Sequence, residues 1–363
     1  MNRDNYCVIM AGGIGARFWP MSRTDRPKQF IDILGTGETL IQQTYRRFLK
    51  ICPPENIYVV TNEKYRDLVM KQLPVMEKHQ ILCEPSRRNT APCIAYANHK
   101  IATQNPNACI VVAPSDHMIL REDVFTEVIE SAMTAAKKND WLLTLGITPG
   151  RPDTGYGYIQ FNEGTVCPSD KRIHKVKTFT EKPNLELART FMASGDFLWN
   201  AGIFIWTLKS INAAFDNYLP EVNHLFDKGA AAYNTPLEQE FITKAYSVCK
   251  NISIDYGIME RADNVHVLMS DFGWSDLGTW GSLYTIRPRD EQGNAVIGDN
   301  TILWNSTNCI VNMPKEKLVV IQGLNDYIVV DDNDTLLICR KEDEQLIREI
   351  VTSVKETKGE QYV

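Results

Sequence analysis

Three glycines, an arginine, a proline and a lysine crowd behind one short apolar run near the start of the chain. The run is YCVIM, and the stretch after it reads AGGIGARFWPMSRTDRPKQF, residues 11–30. Gly12, Gly13 and Gly15 permit a tight turn and close backbone approach to a ligand. Successive backbone N–H groups in such a turn point into one concavity, which suits an anion. Arg17 adds a planar fork that matches phosphate oxygens, and Pro27 stiffens the loop that carries Lys28. Together these residues describe a polyphosphate cradle. The GGxG element alone fits a plain strand-to-loop turn with two surface cations equally well. No Gly-Lys-Ser/Thr follows at the P-loop offset and the GxGxxG pattern is absent, so neither a Walker site nor a dinucleotide site is expected.

The elements that must hold this stretch follow a rhythm. Apolar runs at 6–10, 57–61, 80–84, 109–113 and 141–147 alternate with helix-like stretches at 38–52, 63–73, 90–104 and 123–139. Strand–helix alternation with continuously apolar strands predicts a parallel sheet covered on both faces. Ligands of such sheets lie beyond the carboxyl ends of the strands. The polar motifs fall there: GGIGAR after the first run, EPSRRNTAP after the third, PSDH after the fourth. Further strands are expected at 156–161, 173–180, 201–207 and 265–270, with helices at 184–194, within 208–261 and at 277–286. After Pro288 the texture changes to short apolar runs broken by Asn, Asp and Gly, the pattern of stacked short strands. We therefore divide the chain into residues 1–288, a catalytic domain, and 289–363, a small β domain. The latter ends in an amphipathic helix over 343–357, with apolar Leu346, Ile347, Ile350, Val351 and Val354 at helical spacing.

Composition bounds the function. The chain has 363 residues, and 39 basic against 45 acidic side chains leave a net charge of −6, which argues against a generic nucleic-acid or membrane-surface binder. No apolar run approaches the ~20 residues needed to span a bilayer, and no signal-peptide h-region opens the chain. Nine scattered cysteines with no CxxC pair read as reduced thiols of a cytoplasmic protein, not as disulfides or a zinc framework.

The full 11–30 stretch is more specific than its glycines. It resembles the signature GGxGxRLxPLS…PKQF of the sugar-nucleotide pyrophosphorylases, with Phe18 and Met21 in place of two leucines. The FWPMSR…RPKQF form is similar to the mannose-1-phosphate guanylyltransferases. EPSRRNTAP, PSDH, TGYGYI, FTEKP, WNAGIF, SIDYGIMER and WSDLGTW continue the resemblance in family order to about Arg287. It implies a nucleotide-diphospho-sugar transferase fold, Rossmann-like α/β with a mixed sheet, and a C-terminal domain resembling a left-handed β-helix that mediates a homodimer. Longer relatives add a phosphomannose isomerase domain of cupin type. This chain ends too soon for one, so no isomerase activity is expected.

The implied reaction joins GTP and mannose 1-phosphate into GDP-mannose and pyrophosphate with Mg²⁺. Arg17 and Lys28 would hold the triphosphate. Asp116 of PSDH and Asp276 of WSDLGTW would be the metal ligands, since hard cations take carboxylate oxygens; alone, Asp116 fits a turn or cap as well. His117 is left out, because magnesium prefers oxygen. Glu84 would accept from guanine N1–H and N2–H, a pairing adenine does not offer. Asn89 and Thr90 would add contacts or serve the helix start, and Arg87 and Arg88 would steer phosphates or stay solvated. For the sugar phosphate the resemblance points to Gly157, Glu181, Lys182 and Asn200, with Asp255 either a sugar contact or an N-cap. Two alternatives remain at this level: another sugar 1-phosphate such as a manno-heptose, or a silent GDP-sugar-binding regulator.

Overall fold

The computed structural model describes residues 2–363, the side chains of residues 165 and 166 aside. The residues group into two compact units, and each is drawn from separated segments of chain. The first unit comprises Met1–Gly12, Gln42–Ser115 and Ile119–Trp274; the second comprises Gly13–Ile41, Asp116–Met118 and Ser275–Val363. The grouping follows packing rather than chain order, whereas the change of texture near Pro288 marks where the short strands begin.

The first unit is built on a nine-stranded sheet. Its strands are β1 (Asn5–Met10), β2 (Ile57–Asn62), β3 (Ile81–Glu84), β4 (Cys109–Pro114), β5 (Leu142–Ile147), β6 (Tyr158–Cys167), β7 (Asp170–Thr180), β8 (Phe197–Thr207) and β9 (Val265–Ser270). In space they run β3-β2-β1-β4-β8-β5-β9-β7-β6. The half formed by β3, β2, β1 and β4 is parallel, as the apolar runs predict, with Val8 opposite both Tyr58 and Val112. The other half departs from that prediction. There β8 lies antiparallel to both β4 and β5, while β7 is antiparallel to β9 and β6. The sheet is therefore mixed, as the family resemblance implies. Periodicity missed this because a strand buried on both faces reads the same in either direction.

Helices α1 (Thr90–Ala102), α2 (Glu122–Lys138), α3 (Leu208–Tyr218) and α4 (Glu238–Val248) cover the sheet. One face packs Tyr6, Val8, Tyr58 and Ile110 against Ile94, Ile101, Phe215 and Tyr246 from α1, α3 and α4. Alternation sends Cys7, Ile9 and Val111 to the opposite face, where α2 lies on β4 and β8. Strand β8 starts at Phe197, earlier than the sequence predicts, so Trp199 and Asn200 lie within it. Between Thr144 and Gly146 the β5–β8 register shifts, bringing Asn200 opposite Gly146. A Cβ on Gly146 would lie 2.6 Å from Leu198 and Val267 side chains, so this position has no room for one.

The second unit contains short rungs: β10 (Ala295–Ile297), β11 (Thr301–Trp304), β12 (Ile310–Asn312), β13 (Val319–Gln322), β14 (Tyr327–Asp332) and β15 (Thr335–Arg340). Parallel stacking of β10 on β12 on β14 and of β11 on β13 forms a β-helix-like coil, closed by antiparallel β15. Asn305, Asn308, Asp326 and Asn333 take positive φ at the corners, the conformation that Asn and Asp tolerate best among residues with a side chain. Helices α5 (Trp280–Ile286) and α6 (Ile347–Lys358) flank it. The apolar core of this unit joins Ile310, Ile328, Leu283 and Ile347 to Phe18, Trp19, Ile31 and Leu40 of the glycine-rich stretch. Among the described residues no helix is long and apolar enough to cross a membrane.

Candidate functional site

In the second unit the glycine-rich stretch folds into two short turns, Ala16–Phe18 and Lys28–Phe30. Ile14 ties them: its carbonyl accepts from Lys28 N at 2.9 Å and from Ser22 Oγ at 2.5 Å. Of the glycines here, Gly15 is the one the geometry demands. Its φ is +75°, and a Cβ would lie 2.5 Å from Lys28 Cβ. Gly13 has open space around it.

Lys28 is buried, and its ammonium is fully engaged. It bonds Asp116 Oδ2 at 2.8 Å and the carbonyls of Asp276 and Leu277 at 2.7 and 2.9 Å. Leu277 adopts φ 45°, a conformation costing about 1 kcal/mol for a residue with a side chain; the charge-assisted bonds to the two carbonyls offset it. Burial pushes the Asp116 carboxyl up, but Lys28 and His117 beside it outweigh this and hold it below the usual range. It is therefore an ionised oxygen donor. Asp276 Oδ1 accepts from Gly278 N at 2.9 Å. A Cβ on Gly278 would collide with Asp276 Oδ2 and lie 3.1 Å from Arg17 Nη2. Arg17 Nη1 also donates to Gln345 Oε1 at 3.3 Å. Arg17, Lys28, Asp116 and Asp276 thus come together from three segments of chain. Among the described residues no three Asp, Glu, His or Cys side chains converge as a ready-made metal site. Two carboxylates fit an ion that draws its other oxygens from water and phosphate, the usual habit of magnesium.

In the first unit, Glu84 ends β3 with its side chain buried. Oε1 accepts from Tyr246 Oη at 2.9 Å, and Gly12 leaves room for Oε2, from which a Cβ would be 3.4 Å away. Burial raises the Glu84 carboxyl to about 7, against lowering by Tyr246 and Arg87. Arg88, Asn89 and Thr90 of EPSRRNTAP have structural partners. Asn89 at φ 68° caps α1 by accepting from Thr90 N, while Thr90 Oγ1 accepts from Ile254 N at 2.8 Å. Arg88 Nε donates to the Tyr246 carbonyl at 3.1 Å.

A second cluster in this unit centres on Asn200. Its Nδ2 donates to Asp255 Oδ1 at 3.0 Å, and its Oδ1 accepts from Thr144 Oγ1 at 3.0 Å and Gly202 N at 3.1 Å. Its backbone N–H donates to the Gly157 carbonyl at 2.8 Å. A Cβ on Gly157 would collide with Glu181 Oε2, and Glu181 pairs with Lys182. Asp255 opens a π-helical turn, Asp255–Met259, a rare element frequent at functional sites. Burial raises its carboxyl; its own backbone N–H, Lys182 and Asn200 oppose the rise. The structure thus gathers Gly157, Glu181, Lys182, Asn200 and Asp255. The N-cap alternative for Asp255 gives way to a partner of Asn200.

The chain matches the Nucleotidyl transferase family over residues 6–293 and the MannoseP isomerase/GMP-like beta-helix domain over 299–354. It is 35% identical to a mannose-1-phosphate guanylyltransferase of Klebsiella pneumoniae, covering 98% of this chain and 75% of that one. This chain belongs to the mannose-1-phosphate guanylyltransferase family of nucleotidyl transferases. Another relative, the alginate biosynthesis protein AlgA of Pseudomonas aeruginosa, is 33% identical over 95% of this chain and 71% of its own. A crystal structure from Thermus thermophilus, described as a mannose-1-phosphate geranyltransferase, superposes with a TM-score of 0.85 at 28% identity. It covers 97% of this chain and 99% of its own. The family's mixed sheet and β-helix-like domain are the fold described above.

Sequence reasoning missed Thr144, Tyr246 and Gln345. Thr144 carried a signal, a lone hydroxyl inside the apolar run WLLTLGI. Tyr246 and Gln345 carried none, because their partners lie 162 and 328 residues away.

Proposed function

We propose that this chain transfers a guanylyl group from GTP to α-D-mannose 1-phosphate, giving GDP-mannose and pyrophosphate. A phosphate oxygen of the sugar phosphate attacks the α-phosphorus of GTP, and the bond to the β-phosphate oxygen breaks. Both reactants are already anionic, so the protein's task is alignment and charge stabilisation. The observation that carries this reading is the convergence of Arg17, Lys28, Asp116 and Asp276.

In this reading Arg17 binds the triphosphate and the departing pyrophosphate. Lys28 fixes Asp116 and the Asp276 turn; with its three N–H bonds spent on protein acceptors, it lends the cradle positive charge and no donor. Asp116 and Asp276 are the residues that would hold Mg²⁺, which when bound neutralises phosphate charge. Ionised Glu84 accepts from guanine N1–H and N2–H, with Asn89 and Thr90 shaping the turn beside it. Glu181, Asn200 and Asp255 take sugar hydroxyls, and Lys182 takes the sugar phosphate. Nine free thiols support a cytoplasmic location. Exposed Ile302, Trp304 and Val320 on the β-helix-like coil support a homodimer.

The test is pyrophosphate release with Mg²⁺ across four nucleoside triphosphates and several sugar 1-phosphates. Release confined to GTP with mannose 1-phosphate is expected. Release with GTP and another sugar would overturn the sugar assignment. No release from folded protein that binds GDP-mannose would favour the regulatory alternative.

A further inference from the structure

The C-terminal helix α6 packs against the Ala16–Phe18 turn that carries Arg17. Ile347 at its start and Ile350, Val351 and Val354 along it join the core that contains Phe18. Just before the helix, Gln345 accepts from Arg17 Nη1. Glu344 is committed nearby, accepting from Gly281 N at 2.7 Å. These contacts set the register of the segment against Arg17. Arg348 follows Gln345 by three residues, the spacing that keeps two side chains on one helical face.

We propose that Arg348 is a further guanidinium for the nucleotide phosphates, delivered beside Arg17 by the C-terminal helix. The proposal rests on the reading of Arg17 as a phosphate ligand. Among the described residues the Arg348 guanidinium has no ion-pair or hydrogen-bond partner. Arg348 is exposed at the surface, and its partial desolvation with repulsion from Arg17 holds it below the usual arginine range. Two neighbouring like charges are a standing electrostatic cost, and a polyanion reverses its sign. Arginine forks also suit phosphate better than lysine does, because each presents paired donors.

The experiment compares the full chain with Arg348→Ala, Arg348→Lys and Arg17→Ala. It measures KM for GTP, KM for pyrophosphate in the reverse reaction, KM for mannose 1-phosphate, and Tm. For Arg348→Ala the two phosphate-chain KM values should rise about tenfold, the loss of one charge-assisted hydrogen bond. KM for mannose 1-phosphate and Tm should hold, and Arg348→Lys should recover part of the loss. Unchanged GTP and pyrophosphate values in Arg348→Ala, with turnover lost in Arg17→Ala, overturn the proposal and leave the reading of Arg17 intact. A fall in Tm with all three KM values raised together assigns Arg348 to packing and overturns it too. Wild-type turnover in Arg17→Ala defeats the underlying reading itself.

Discussion

Glu84 is a candidate site residue whose chemistry is set by its burial. Its carboxyl rises from the usual 4.5 to about 7 in the folded chain. Between those values the folded state keeps a proton that the unfolded state has released, so stability falls as pH rises through the window. Glu84→Gln should flatten that slope and gain on the order of 3 kcal/mol above pH 7; thermal melts from pH 4 to 8 check it. Guanine reading needs the ionised form, so KM for GTP should fall as pH rises through about 7, and Glu84→Gln should lose both this dependence and the preference over ATP. A pH-independent KM in the wild type would place base reading elsewhere. Gly157 makes a complementary case. A methyl there displaces the Glu181 carboxylate but strains no backbone, so Gly157→Ala should raise KM for the sugar phosphate several-fold with Tm unchanged. An equal rise in KM for GTP would contradict the assignment.

At the scale of elements, the Gly13–Ile41 loop is held by side chains that look incidental in the sequence. Arg23, 8% exposed, donates to the carbonyls of Pro20, Asp332 and Gln361, to Asp334 Oδ1 and to Thr335 Oγ1. Trp19 Nε1 donates to the Tyr362 carbonyl at 2.7 Å. Arg23→Ala strands several acceptors and should cost about 2 kcal/mol, seen as a lower denaturant midpoint. An unchanged midpoint would mean water replaces the guanidinium without loss. Here legibility from sequence divides cleanly. Strands such as β1 and β4 and helix α1 announce themselves by local apolar pattern, and GGIGAR and PSDH stand after strands where a ligand site is expected. The reversed direction of β8, the early start that brings Asn200 into it, and the grip on Arg23 were not legible. Each depends on partners far along the chain, which periodicity does not encode.

At the scale of the molecule, the loop with Arg17 and Lys28 shares a core with the β-helix-like coil. Phe18, Trp19 and Ile31 pack with Trp280, Ile310 and Ile328. A chain cut after residue 288 removes Ile310 and Ile328, two of those three partners, and exposes large apolar side chains, each worth about 2 kcal/mol of lost burial. Such a fragment should release no pyrophosphate and should expose its loop to protease. Wild-type turnover from residues 1–288 would show that the first turns of the loop fold without the coil.

The shared core also limits how such chains recombine. A chimera that takes residues 13–41 from one relative and the C-terminal third from another mixes two halves of one packed interior, including the Trp19–Tyr362 and Arg23–Asp334 pairs. Breakpoints that carry both segments together keep that interior whole. The smallest unit that inheritance or engineering can move intact is therefore discontinuous in the gene, although it is continuous in space.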